Sequence, residues 1–110
     1  MERIYNKLVR DNIPEIIKSK GETPVTKILT KKEYKTELEK KLYEEYKEVI
    51  ESCGKDRLEE LADMIEVIIN LAGLEKASLE DIIEIAKDKS KKRGSFKKRI
   101  FLEKVIEKSE

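Results

Sequence analysis

The sequence predicts an all-α protein, a helical bundle of about four helices, and three observations carry that expectation. Charged residues fill 45% of the 110 positions, yet the net charge is only +1. That balance suits long amphipathic helices better than a self-repelling disordered chain. Four Gly and two Pro are too few to punctuate a sandwich of many short strands. Apolar residues also recur at three- and four-residue spacing over several long stretches. The length fits one domain, residues 1–110, with one modest core.

Asp11 or Asn12 is expected to cap a first short helix carrying Ile13, Ile16 and Ile17, with Pro14 in its first turn and a stop near Gly21. Thr23 to Leu29 fits either an edge strand or an extended linker. Thr30 and Glu33 form a T-x-x-E capping box, and Leu29 and Tyr34 suit the hydrophobic staple around it. The second helix therefore starts there and runs to about Cys53, stopped by Gly54. The third is expected to begin after Asp56 and end at Gly73. The fourth begins after Ser78, with Asp81 as its box partner. It ends in KSKKR before Gly94, which sets cations at the negative end of the helix dipole. The tail SFKKRIFLEKVIEKSE reads two ways: Ile100 and Leu102 alternate as in a strand, while Phe101, Leu102, Val105 and Ile106 space as in a helix. The fold thus leaves room for one short strand pair made from the linker and the tail.

Several function classes fall away. A near-neutral total removes the general case for nucleic-acid or membrane-surface binding. No apolar run approaches the ~18 residues of a membrane span. MERIYNKLVRD has no apolar signal core, so a cytoplasmic location is expected. The single Cys53 agrees and reads as a small apolar core residue. The absence of histidine excludes His triads, His-ligated zinc and imidazole acid–base chemistry.

The carboxylates are the informative residues. At 100° per residue, Leu38, Leu42, Val49 and Cys53 form one apolar stripe on the second helix, and Glu45 lies inside it with Glu48 on its border. On the third helix, apolar residues from Leu58 to Ala72 cover well over half the circumference, so a partner chain is expected to cover part of the Met64, Val67, Ile68 and Leu71 faces. Glu60 projects between Val67 and Leu71; Asp63 follows on the adjoining edge, and Asn70 lies two turns further along it. No Lys or Arg falls between Leu58 and Ala72. Burying unpaired carboxylates costs several kcal/mol, on the order of a fold's whole margin. Four acids leaning into one interior, with no His or Cys beside them, fit a hard cation, Mg²⁺ or Mn²⁺. The plainer reading is a solvated helix face, since runs such as EEYKE are common there.

YEEYKEVIE (43–51) followed by EELADMIEVIINLAG (59–73) resembles the all-alpha NTP pyrophosphohydrolases, the MazG-like superfamily, whose hallmark is E-E-x-x-E on one helix and E-x-x-D on the next. YNKLVRDNIPEII and RGSFKKRIFLEKV resemble both ends of its short, single-domain house-cleaning branch. The resemblance implies hydrolysis of a nucleoside triphosphate between the α- and β-phosphates, giving the monophosphate and pyrophosphate. It implies a bundle completed as a homodimer or homotetramer, and Mg²⁺ held by Glu45, Glu48, Glu60 and Asp63. Glu44 matches a less constant position, and its role stays open. A same-fold alternative substrate is phosphoribosyl-ATP; a different class is a non-catalytic helical oligomer.

Phosphates beyond the metal need Lys or Arg. The resemblance favours Lys7 and Arg10, within its KLVRD stretch. Lys92 and Arg93 lie in the basic cluster before Gly94, where dipole compensation is the competing role. Asn70 suits a base edge and equally a satisfied buried amide.

Overall fold

The computed structural model describes residues 1–109. Among them the fold is all-helical: α1 (Ile13–Ser19), α2 (Lys31–Glu51), α3 (Gly54–Leu74) and α4 (Leu79–Arg93), with no strand. The chain divides into two compact units, Met1–Leu79 and the residues from Glu80 onward.

In the first unit, α1 is short and opens with Pro14 in its first turn. Its Asn12 cap position makes no side-chain bond to the helix. It closes as a Schellman turn. Gly21 stands at φ +83°, its N–H donates to the Lys18 carbonyl, and the Glu22 N–H donates to Ile17. Helix α2 starts at the complete capping box. The Glu33 N–H donates to Thr30 Oγ1 at 3.2 Å, and the Thr30 N–H donates back to Glu33 Oε1 at 2.9 Å.

Helices α2 and α3 form an antiparallel hairpin. The connection is tighter than the sequence suggested, because α2 ends at Glu51 and α3 begins at once with Gly54 rather than after Asp56. Ser52 and Cys53 are extended, and Gly54 reverses the chain at φ +58°, a conformation that strains any residue with a Cβ. Cys53 is consequently exposed at the turn, not a core residue. At the far end of the hairpin, the Tyr34 hydroxyl reaches Asn70 Oδ1 at 3.4 Å. Helix α3 runs through Gly73 and ends in a second Schellman turn. Lys76 takes the left-handed position at φ +60°, and the Ala77 N–H donates to the Ala72 carbonyl at 2.9 Å.

Few apolar side chains are buried: Leu38 at 3% exposure, Val67 at 6% and Ala72 are the buried apolar residues among those described. The broad apolar arc of α3 is therefore not covered within its own chain. Val67 lies buried in the hairpin, and the exposed part falls instead on Leu58 (66% exposed), Leu61 and Ile65. On α2, Tyr43, Tyr46 and Ile50 are likewise exposed. Both sets repeat at i, i+3 and i+7. At 100° per residue they lie about 80–140° round from the Leu38–Glu45 line of α2 and about 120–180° round from the Val67 line of α3. In an antiparallel pair those rotations bring the two stripes to one side of the hairpin. Glu44, Glu48, Glu59, Asp63 and Glu66 rotate to the other side.

In the second unit, α4 carries Glu80 and Asp81 in its first turn and Lys91, Lys92 and Arg93 in its last, the distribution its dipole favours. Gly94 at φ +83° closes it, donating to the Ser90 carbonyl at 2.8 Å. The tail resolves the helix-or-strand ambiguity as neither. After a turn in which the Arg99 N–H donates to the Phe96 carbonyl, residues 100–109 are irregular. The linker at residues 22–30 is irregular too, so the strand pair for which the sequence left room is not formed among the described residues. A two-stranded ribbon with no further sheet or helix to pack on is marginal in water.

Candidate metal centre

The hairpin register decides which acids meet. With the two-residue connection at Ser52 and Cys53, the level of Glu45 on α2 faces the first turns of α3, where Glu60 and Asp63 stand on one side of the helix three residues apart. The structure brings these three together: one carboxylate oxygen from each lies within 4.8 Å of the others. Oxygens around one Mg²⁺ at about 2.1 Å stand about 3–4 Å apart. A small inward movement of the side chains would bring the trio to that spacing.

Glu45 is the most confined of the three. It is 9% exposed, and no hydrogen bond or ion pair reaches its carboxylate from the described residues. Its oxygens retain a sliver of solvent contact and so are not sealed off. Burial first, and then the charge of Asp63, push its carboxyl above the ordinary range. Lys41 opposes this, and Glu60 and Glu48 add to it. Lys41, the basic residue whose charge opposes this, is not bonded to Glu45, because its Nζ is paired with Glu44 at 3.2 Å. Glu60 is half-buried, and its carboxyl is raised as well, by desolvation first and then by Glu48 and Asp63.

Glu48 is exposed and outside the trio, though its charge raises both Glu60 and Glu45. The carboxylates are not left without any cation, contrary to what the run from Leu58 to Ala72 suggests. Arg10 arrives from the N-terminal segment and donates from Nη2 to Asp63 Oδ1 at 2.7 Å. Nothing in the spacing of α3 announces this pair, since 53 positions separate its members. Only the KLVRD resemblance marks Arg10.

The other candidates are distributed as follows. Lys7 is exposed and lies 5.8 Å over the Tyr5 ring. Asn70 behaves as a satisfied amide: its Nδ2 donates to the Glu66 carbonyl and to Glu66 Oε2, each at 2.8 Å, and its Oδ1 accepts from Tyr34. Glu66 was missed by the sequence reading, and its spacing four residues before Asn70 was the available signal. Lys92 and Arg93 are exposed in the last turn of α4, in the second unit.

An all-oxygen donor set, two of its carboxyls raised by burial first and then by neighbouring acids, is the kind that hard divalent cations take and offers nothing to a soft one. Among the described residues, no helix is long and apolar enough to cross a membrane. The chain matches no protein-family model, no curated protein and no solved structure.

Proposed function

We propose that the protein is a Mg²⁺-dependent nucleoside triphosphate pyrophosphohydrolase, acting on a non-canonical nucleoside triphosphate and working as a homodimer or homotetramer. The observation that supports this most is Glu45: an unpaired carboxylate at 9% exposure, set within 4.8 Å of two further carboxylates. A purely structural role gives no reason to collect three acids there. Their repulsion and desolvation oppose folding, and Arg10 bonds Asp63 but leaves Glu45 and Glu60 without a bonded cation.

Glu45, Glu60 and Asp63 would hold Mg²⁺ or Mn²⁺, with Glu48 one turn from Glu45 on its open side. Such an ion would supply charge neutralisation for the triphosphate and a more acidic water. The chain's own residues set the rest. Glu45 fixes the inner edge of the site because packing on α3 restricts its side chain. Lys7 and Arg10 supply positive charge to phosphate oxygens from the N-terminal segment. Asn70, held by Glu66 and Tyr34, is a rigid polar edge near the far end of the hairpin.

The partner in this proposal is a second copy of the chain. The stripes of Tyr43, Tyr46 and Ile50 and of Leu58, Leu61 and Ile65 form an apolar side on the hairpin. Two hairpins meeting through those sides make a four-helix bundle, with the acids facing outward on either side.

The test is pyrophosphate release from a panel of canonical and damaged nucleoside triphosphates, with phosphoribosyl-ATP included, in the presence and absence of Mg²⁺ or Mn²⁺. Metal-dependent release from at least one of them is expected. No release from any, together with a melting curve unmoved by millimolar Mg²⁺ and Mn²⁺, removes the enzymatic reading and leaves a structural oligomer.

A further inference from the structure

Asp63 has two kinds of neighbour: its fellow acids and Arg10. The guanidinium comes from the residue that also accepts the Ile13 N–H, at the entry to α1, so its backbone is anchored while its side chain reaches α3. The other arginine of that segment, Arg3, is bonded to Glu22 at 2.9 Å and does not reach the acids. Among the described residues, Arg10 is the cation bonded to a member of the trio.

We infer that Arg10 is a built-in counter-ion which a divalent cation displaces from Asp63, so that metal binding frees the guanidinium to take a phosphate group of the substrate. This rests on the metal-binding reading of Glu45, Glu60 and Asp63. Arg10 brings one positive charge to one carboxylate and leaves Glu45 without a bonded cation. A divalent ion brings two charges within reach of all three. The Arg10–Asp63 side chains are 56% and 44% exposed, and ion pairs this open are weak and readily exchanged. Once released, the planar guanidinium offers paired N–H donors, the geometry suited to a phosphate. Metal and triphosphate then bind with positive coupling. Without metal, Arg10 is occupied and the acids repel the substrate; with metal, both obstacles are removed.

The decisive measurement is Mn²⁺ affinity, by titration against the wild-type chain, Arg10→Gln and the control Arg3→Gln. Loss of a competing cation should tighten Mn²⁺ binding by Arg10→Gln about two- to fivefold, from the modest strength of exposed pairs. Arg3→Gln should match the wild type. Mg²⁺ should also speed water exchange of the Arg10 side-chain N–H in the NMR spectrum of the unaltered protein, a readout that needs no variant to fold. Equal or weaker Mn²⁺ binding by a folded Arg10→Gln, or an Arg10 signal indifferent to Mg²⁺, overturns the displacement while leaving the metal site standing. If wild type and variants alike fail to bind Mn²⁺, the metal site itself is wrong and the inference goes with it.

Discussion

At the scale of single residues, the three carboxylates are unequal, and the differences are testable. Glu45 has no bonded donor, Glu60 is raised by burial and then by its neighbours, and Asp63 is paired with Arg10. Glu45→Gln keeps the size of the side chain and removes its charge, so the metal-free protein should melt higher while pyrophosphate release falls by more than about 100-fold. That loss exceeds what is typical for a group one shell further from a metal. Glu60→Ala should behave in the same direction. Asp63→Ala should abolish activity with little change in metal-free stability, since an exposed pair contributes about 0–1 kcal/mol. Glu51→Ala, on an exposed turn of α2, should leave activity nearly intact. If Asp63→Ala keeps activity but lowers the melting temperature by several degrees, that acid is structural. The raised carboxyls also set a pH dependence. A folded-state pKa above the unfolded one means that the native state binds more protons, so stability falls as pH rises through the interval between the two. For Glu45 and Glu60 that interval starts at the ordinary glutamate range, about 4.3, and extends upward. The metal-free protein should therefore lose stability across it, and saturating Mg²⁺ should flatten the loss. Glu33 acts oppositely: the Thr30 backbone N–H first, then the Thr30 hydroxyl and the charge of Lys27, hold its carboxyl low, so its contribution disappears only in more acid solution. Thermal melts from about pH 2 to about pH 8 in chelator and in Mg²⁺ separate the two behaviours, the Glu33 loss falling below the ordinary glutamate range and the Glu45 and Glu60 loss above it.

At the scale of elements, local chemistry was legible where a short-range motif dictated it. The Thr30–Glu33 box marked the start of α2, and Gly21 marked the end of α1. The α2–α3 turn is less legible, because in the sequence Gly54 looks like a stop separated from the next helix, whereas its positive φ serves both at once. The end of α3 shows the same limit. Gly73 looks like the terminator, yet it stays helical and Lys76 takes the left-handed position three residues later. Gly73 does not terminate the helix because the closing contact is between Ala72 and Ala77, and that pair fixes which residue must turn. Lys76→Gly should therefore stabilise the protein by about 1 kcal/mol, the usual cost of a left-handed conformation for a residue with a Cβ. Urea unfolding reads this directly; an unchanged midpoint would mean that the turn carries no strain. The candidate site was legible for the same reason as the boxes. Glu45, Glu60 and Asp63 sit at helical spacings that set them on facing lines, whereas the Arg10 contact depends on how a distant segment folds back.

At the scale of the whole molecule, the burial pattern argues for more than one copy. Leu38, Val67 and Ala72 are the buried apolar residues among those described, too few to offset the chain entropy of ordering a helical hairpin. The sequence already signalled the deficit through the breadth of the apolar arc on α3. It could not say which part faces a partner, because that depends on how α2 and α3 rotate against each other. The structure assigns the inner line to Val67 and leaves Leu58, Leu61 and Ile65 outside, beside Tyr43, Tyr46 and Ile50. A homo-oligomer burying those six residues is expected, with a mass of at least twice 12.9 kDa by light scattering at micromolar concentration. Its melting temperature should rise with protein concentration, because association stabilises the folded chain by mass action. Leu61→Glu places a charge in the middle of that side. It should shift the mass toward a monomer and weaken folding, since a charge buried in a contact between copies has no partner there. Leu61→Met, similar in volume and still apolar, should leave the mass unchanged. A wild-type chain that is monomeric, folded and concentration-independent would show that the hairpin needs no second copy, and the bundle proposed here would have to be abandoned.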